Sequence, residues 1–190
     1  MNKIVTLQSM SLSKRLTFTA LFAALCCVST VVITVPLPTG YFNTGDVFVL
    51  LAAWCLGPIY GVAAAAIGSA LGDLFLGYAL YAPATFFIKG LDAFIACITC
   101  WFFKKLIKKQ SLDFLPRIFS AILGEIVMIG GYFLFEMLLY GVYGAAATLL
   151  GNSLQAGCCA ACAVMIVSAL YSIKAVRNTF PPLKGLASIA

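Results

Sequence analysis

The stretch APATFFIKGLDAFIACITCWF, residues 82–102, decides how the rest of the chain is read. It has the length and apolar content of a membrane span, which needs about 20 residues. Yet Lys89 and Asp92 lie within it. A charged side chain at the centre of such a helix costs roughly 2.5–3.5 kcal/mol on insertion scales. Two charges there call for partners or a function.

The composition around this stretch agrees with a membrane setting. The chain has 190 residues, of which 63% are hydrophobic and 9% charged, and it contains no His. A soluble domain carries about 25% charged residues, so a water-soluble fold is excluded. The length suits a single bundle with no second domain. Residues 16–35 stay apolar too long for a cleavable signal, and no small-residue cleavage pattern follows.

Further spans are legible on both sides. The first is expected over 16–35, ending where the prolines and glycine of PLPTG (36–40) break the helix. A short second helix begins near Asp46 and is interrupted at Gly57-Pro58, and a third runs over 58–77. The fourth starts at Pro83, a favoured first-turn residue, and ends at the basic run KKLIKK, residues 104–109. The fifth is expected over 116–140 and the sixth over 144–173. The expected fold is therefore an all-α integral membrane bundle of six transmembrane helices. Its membrane domain covers 14–175, between tails at 1–13 and 176–190.

Basic residues set the orientation. Lys3, Lys14 and Arg15 precede the first helix. Lys104, Lys105, Lys108, Lys109 and Arg117 join the fourth to the fifth, and Lys174, Arg177 and Lys184 follow the sixth. With six spans, eleven of the twelve basic residues fall on one side, which places both termini in the cytoplasm. The outer loops near 36–45, 78–82 and 140–144 carry no Lys or Arg. The remaining basic residue is Lys89.

In this frame the polar residues within the spans gather in the outer half. Lys89 lies about 9 Å into the fourth helix, and Asp92, three positions on, shares its face. Asp73 lies near the outer end of the third helix, where a short turn brings it toward Lys89 as its expected ion partner. Asp46 opens the second helix and reads best as an N-cap within NTGD. Glu136 lies near the outer end of the fifth helix, and Asn152 and Gln155 share a face of the sixth. Polar groups at one depth on several helices face inward together. Either they clamp helices to one another or they line an outward-opening pocket. Tyr41, Phe42, Tyr78, Tyr81, Tyr140 and Tyr143 ring the same end, where they can stack on a ligand or serve as an interfacial aromatic belt.

Small residues recur four apart, at Ala20 and Ala24 in the first helix and at Gly61, Ala65, Gly68 and Gly72 in the third. Such stripes allow close helix approach, within the chain or against a membrane partner. Of the eight cysteines, Cys97 and Cys100 form CxxC, and Cys158, Cys159 and Cys162 form CCxxC. Both motifs lie in apolar helices, where cysteine packs as a small hydrophobe, so no metal site is expected. A thiol oxidoreductase using Cys97 and Cys100 is a rival reading, as is a stand-alone secondary transporter. No phosphate loop, nucleophile elbow or HExxH motif is present. An enzyme is not indicated, and no cofactor is implied.

The pieces GYFNTGD (40–46), LGPIYG (56–61), IGSALGDL (67–74), GYALYAPATFFIKG (77–90), GYFLFE (131–136) and GNSLQAG (151–157) together carry a resemblance. Over about residues 12–175 the chain resembles the substrate-binding S components of energy-coupling factor (ECF) vitamin transporters, of the riboflavin type. The resemblance implies a six-helix multi-pass protein of the bacterial plasma membrane. It implies capture of a vitamin or vitamin precursor from outside: riboflavin, thiamine, a pyrimidine precursor such as hydroxymethylpyrimidine, or pyridoxine. It implies a transmembrane T component and two cytoplasmic ATPase subunits as partners, with Ala20 and Ala24 docking the T component, and no nucleic acid. Binding in the family maps onto Tyr41, Asn43, Lys89, Glu136, Asn152 and Gln155. With Asp73, Tyr78 and Asp92 from the reading of the spans, these are the candidate ligand residues. Because the candidates besides Lys89 are acids, amides and tyrosines, a polyanionic ligand is disfavoured and a small ring compound preferred.

Overall fold

The computed structural model describes residues 11–36, 41–107 and 112–180, without the side chains of residues 177 and 178. Lys3, Lys108, Lys109 and Lys184, with most of both expected tails, lie outside the described residues.

The chain folds as α1 (Leu12–Val32), β1 (Thr34–Pro36), β2 (Tyr41–Asn43), α2 (Gly45–Phe75), α3 (Ala82–Leu106), α4 (Leu115–Ser172) and α5 (Lys174–Thr179). Helices α1 to α4 are each long and apolar enough to cross a membrane. Two of them are interrupted. Helix α2 breaks at Gly57 (φ 81°, ψ −170°) and α4 at Gly141 (φ 73°, ψ 177°). A positive φ there suits glycine, which has no Cβ to clash, and Pro58 then opens the next helical segment without needing an N–H donor. The breaks fall where GPIYG and the 140–144 loop were expected to end helices.

The first segment of α2, residues 45–56, is about 18 Å long. Apart from the half-buried Phe48, every residue in it is buried. A helix apolar on all sides belongs in the middle of a bundle. Val49, Leu50, Ala53 and Trp54 of this segment pack against Ala93, Ala96, Cys97 and Cys100 of α3 and against Cys159, Ala163 and Val167 of α4. At the lower end Trp54 Nε1 donates to Ser120 Oγ at 3.0 Å.

The glycine stripe of α2 is spent on this packing. A Cβ on Gly68 would strike the Ala23 carbonyl of α1, one on Gly72 would press on Thr30, and one on Gly61 would strike the Ala52 carbonyl. Ala20 and Ala24 are on the opposite, exposed side of α1, in line with Leu12, Leu16, Val28 and Val32 at four-residue intervals. One small-residue stripe is thus internal and the other outward-facing.

The segment after α1 holds a feature the sequence reading did not foresee. β1 and β2 pair antiparallel, with Thr34 opposite Asn43, Val35 opposite Phe42 and Pro36 opposite Tyr41. The hairpin carries Tyr41 and Asn43 over the end of the bundle. On the other end, Phe180 after α5 packs edge-on against Phe18 of α1, ring centroids 4.9 Å apart.

Candidate functional site

The expected polar residues do converge at the hairpin end, through pairings different from those anticipated. Asp46 is not the N-cap of α2; Thr44 holds that position, and its side chain makes no capping hydrogen bond. Asp46 is instead fully buried in the first turn. Its carboxylate meets Lys89 Nζ of α3 and accepts a 2.6 Å hydrogen bond from Gln155 Nε2 of α4. The ion partner of Lys89 is therefore Asp46 and not Asp73. The cause lies in the central segment of α2, which starts level with Thr30 of α1 and turns Asp46 inward between α3 and α4. Lys89 also lies 5.3 Å from the centre of the Tyr132 ring.

Gln155 links this pair to the hairpin. Its Oε1 accepts from the Asn43 backbone N–H at 2.9 Å and from Asn43 Nδ2 at 3.3 Å. Asn43 Oδ1 accepts in turn from the Gly45 N–H at 2.8 Å. The amide thus closes the last turn before α2 and ties it to α4. Above it, Tyr41 donates its hydroxyl to Asp73 Oδ1. Burial, and then the neighbouring Asp73 carboxylate, push the Tyr41 phenol up, which keeps it protonated as a donor. Glu136 on the far wall accepts from the Thr148 hydroxyl.

Between these groups lies a cavity of about 40 Å³. Tyr41, Asn43, Asp73, Tyr78, Glu136, Asn152 and Gln155 of the expected set line it. Lys89 and Asp92 do not. Tyr81, expected as one of the outer ring of aromatics, also lines it, as do Thr85 and Tyr132, which the sequence did not single out. A signal for two of them existed. Thr85 lies four residues before Lys89, and Tyr132 four before Glu136, so each shares a helix face with a residue already singled out. Their hydroxyls are 2.9 Å apart. The rings of Tyr41 and Tyr78 lie 4.8 Å apart, and those of Tyr78 and Tyr81 6.1 Å.

Asp92 sits below this cavity, fully buried, with neither carboxylate oxygen hydrogen-bonded. Glu125 of α4, which the sequence reading passed over, is likewise buried and without a hydrogen bond. Both feel the charge of Lys89. The α4 backbone is pressed onto Asp92 at Gly124, where a Cβ would strike Oδ1. Cys97 and Cys100 are buried free thiols in the apolar core, placed as packing residues. Cys158 and Cys162 are exposed.

Comparison with known proteins places this arrangement. The model of the family described as "ECF-type riboflavin transporter, S component" matches residues 10–172. The chain belongs to this family. An S component is a transport subunit and not an enzyme, and its apolar helices make this one a multi-pass membrane protein. An uncharacterized protein in the gap 3′ region of Pyrococcus woesei is 35% identical over 131 residues, 68% of this chain and 82% of that protein. The solved S component of a bacterial ECF transporter shares the fold, with a TM-score of 0.63 and 21% identity, over 85% of this chain and 98% of its own.

Proposed function

We propose that this S component captures a vitamin or vitamin precursor at the outer face of the plasma membrane and delivers it to an ECF importer. The observation that carries the reading is the cavity where hairpin, α2, α3 and α4 converge, walled by tyrosines, carboxylates and amides. A binding site for a small molecule is a concave pocket with aromatic walls and a few placed polar groups.

In this reading α2 and α4 each cross the membrane twice, reversing at Gly57 and Gly141, so that six helical segments span it. Both termini are then cytoplasmic. Arg15 at the start of α1 and Lys104, Lys105 and Arg117 around the α3–α4 junction support that orientation. The cavity then opens outward. Its 40 Å³ has room for water molecules only, whereas a ring compound needs a pocket of about 300 Å³ or more. Entry of a ligand therefore requires a wall to move. A T component and two ATPase subunits supply the energy for release inward. The exposed Ala20 and Ala24 offer the close-approach surface for the T component.

The test is to purify the protein in mild detergent, release its bound molecules by denaturation and identify them by mass spectrometry. A vitamin-like ring compound in near-stoichiometric amount is expected. Uptake of that compound into vesicles holding this chain alone would instead favour a stand-alone transporter.

A further inference from the structure

A second concavity lies on the outside of the bundle, between the later segment of α2 and α3. It has a volume of about 600 Å³ and is lined only by apolar residues. The two helices come close at its floor, where a Cβ on Gly90 would lie 3.4 Å from the Ala66 Cβ. Ala63 leaves room beside them, and the exposed Ile59, Phe86, Phe87 and Phe94 stand around the mouth.

In a bilayer every outward side chain meets lipid. Apolar contact alone does not favour one lipid over another, because the tails are as apolar as Leu. Two features set this groove apart. The first is shape. Phe rings around a floor of Ala and Gly can enclose a flexible chain and give it the many close contacts that dispersion requires. The same rings keep another helix backbone at a distance, unlike the small-residue face of α1.

The second feature is charge. The face of α3 that carries Phe87, Leu91 and Phe94 continues through Ile98 and Trp101 to Lys105. Lys105 comes eighteen residues after Phe87, which is five whole helical turns, and about 16 Å beyond Phe94. Its Nζ lies 3.8 Å from the centre of the Trp101 ring, and the residue is exposed. The neighbouring cations are engaged. Lys104 lies 3.5 Å from Asp113, while Arg117 donates to that carboxylate at 3.1 Å and sits over the Tyr171 ring. Among the described residues Lys105 forms no ion pair. Basic side chains at the membrane end of a helix attract anionic headgroups.

We propose that this groove holds the hydrocarbon tail of one anionic phospholipid, whose phosphate rests on Lys105. The lipid belongs to the leaflet beside the α3–α4 junction, the inner one in the orientation proposed above. It makes α3 a lipid-binding face on a side of the bundle away from the cavity.

The experiment uses the full chain in mild detergent, washed free of copurified lipid. Phosphatidylglycerol and phosphatidylcholine with the same tails are titrated in and the bound copies counted by native mass spectrometry. One phosphatidylglycerol is expected to bind, about fivefold or more tightly than phosphatidylcholine. Lys105→Gln is expected to remove that preference and Lys105→Arg to keep it. Ala63→Phe fills the groove and is expected to remove both lipids. Thermal unfolding shows which variants are folded; Lys105→Gln, at an exposed helix end, carries the test if Ala63→Phe does not fold. Equal binding of the two lipids overturns the proposal and leaves Trp101 and Lys105 as an interfacial anchor. Unchanged preference in Lys105→Gln, or unchanged binding in folded Ala63→Phe, also overturns it. So does a dimer of the stripped chain that Ala63→Phe dissociates, which would assign the groove to a second copy.

Discussion

Lys89 of α3 and Asp46 of α2 are in contact inside the bundle, 3% and 0% exposed and 43 positions apart in the chain. Gln155 of α4 holds the second oxygen of Asp46. Three helices therefore meet at one ion pair, directly beneath the cavity. This answers why residues 82–102 tolerate a lysine: its charge is matched by a carboxylate that only the fold brings to it.

Breaking that pair from one side should be costly. Lys89→Met leaves Asp46 buried and uncompensated and is expected to destabilise the protein by about 3–5 kcal/mol. The double variant Lys89→Met with Asp46→Leu is expected to recover most of the loss, whereas Lys89→Met with Asp73→Leu is not. Thermal unfolding of the purified variants in one detergent distinguishes the two carboxylates. Recovery with Asp73→Leu instead would contradict the pairing seen here.

Helix packing offers a second test. A Cβ at Gly68 would meet the Ala23 carbonyl and the Cys26 side chain, both part of α1. Gly68→Ala is expected to cost about 1–3 kcal/mol through overpacking. Gly130, in the body of α4, has nothing within 4 Å of its added Cβ. Gly130→Ala should therefore leave stability unchanged or raise it by about 0.5–1 kcal/mol. Equal effects of the two changes in an unfolding assay would argue against the tight α1–α2 contact.

Backbone strain can be separated from packing at Gly141. It has φ 73° and open space around its added Cβ. Gly141→Ala is then expected to lose about 1–3 kcal/mol from conformation alone, and Gly141→Asn about as much, because ψ 177° lies outside the left-handed helical region that Asn visits. The measurement is the three unfolding temperatures, with Gly above both Asn and Ala; an Asn variant as stable as the parent would contradict the backbone conformation.

The outward face of α1 should matter to assembly and not to folding. Ala20→Trp and Ala24→Trp add bulk on an exposed surface. They are expected to keep the unfolding temperature and ligand affinity of the parent chain, yet to abolish copurification with a coexpressed T component and ATPase pair. Normal assembly and uptake by both variants would move the docking surface elsewhere.

The features legible in the chain alone were those set by local chemistry. Long apolar runs required helices, whatever their neighbours, and Gly57-Pro58 and the glycine at 141 interrupted them because glycine accepts a positive φ and proline forgoes a donor. The gathering of Asp73, Glu136, Asn152 and Gln155 at one end followed from counting positions along those runs, and Tyr41 and Asn43 from the loop that precedes them. What the chain alone left open was which acid meets which base. Asp46, Asp73 and Asp92 all lie within reach of Lys89 by depth, and choosing among them needs the rotation and vertical offset of each helix. Those are decided by contacts far apart in sequence, such as Gly68 against Ala23 and Asn43 against Gln155. Because a helix turns about 100° per residue, a small change in that packing would aim Asp46 elsewhere. Only the tertiary structure could turn Asp46 to Lys89, set Asp73 in the cavity wall against Tyr41, and bury Asp92 and Glu125 below it.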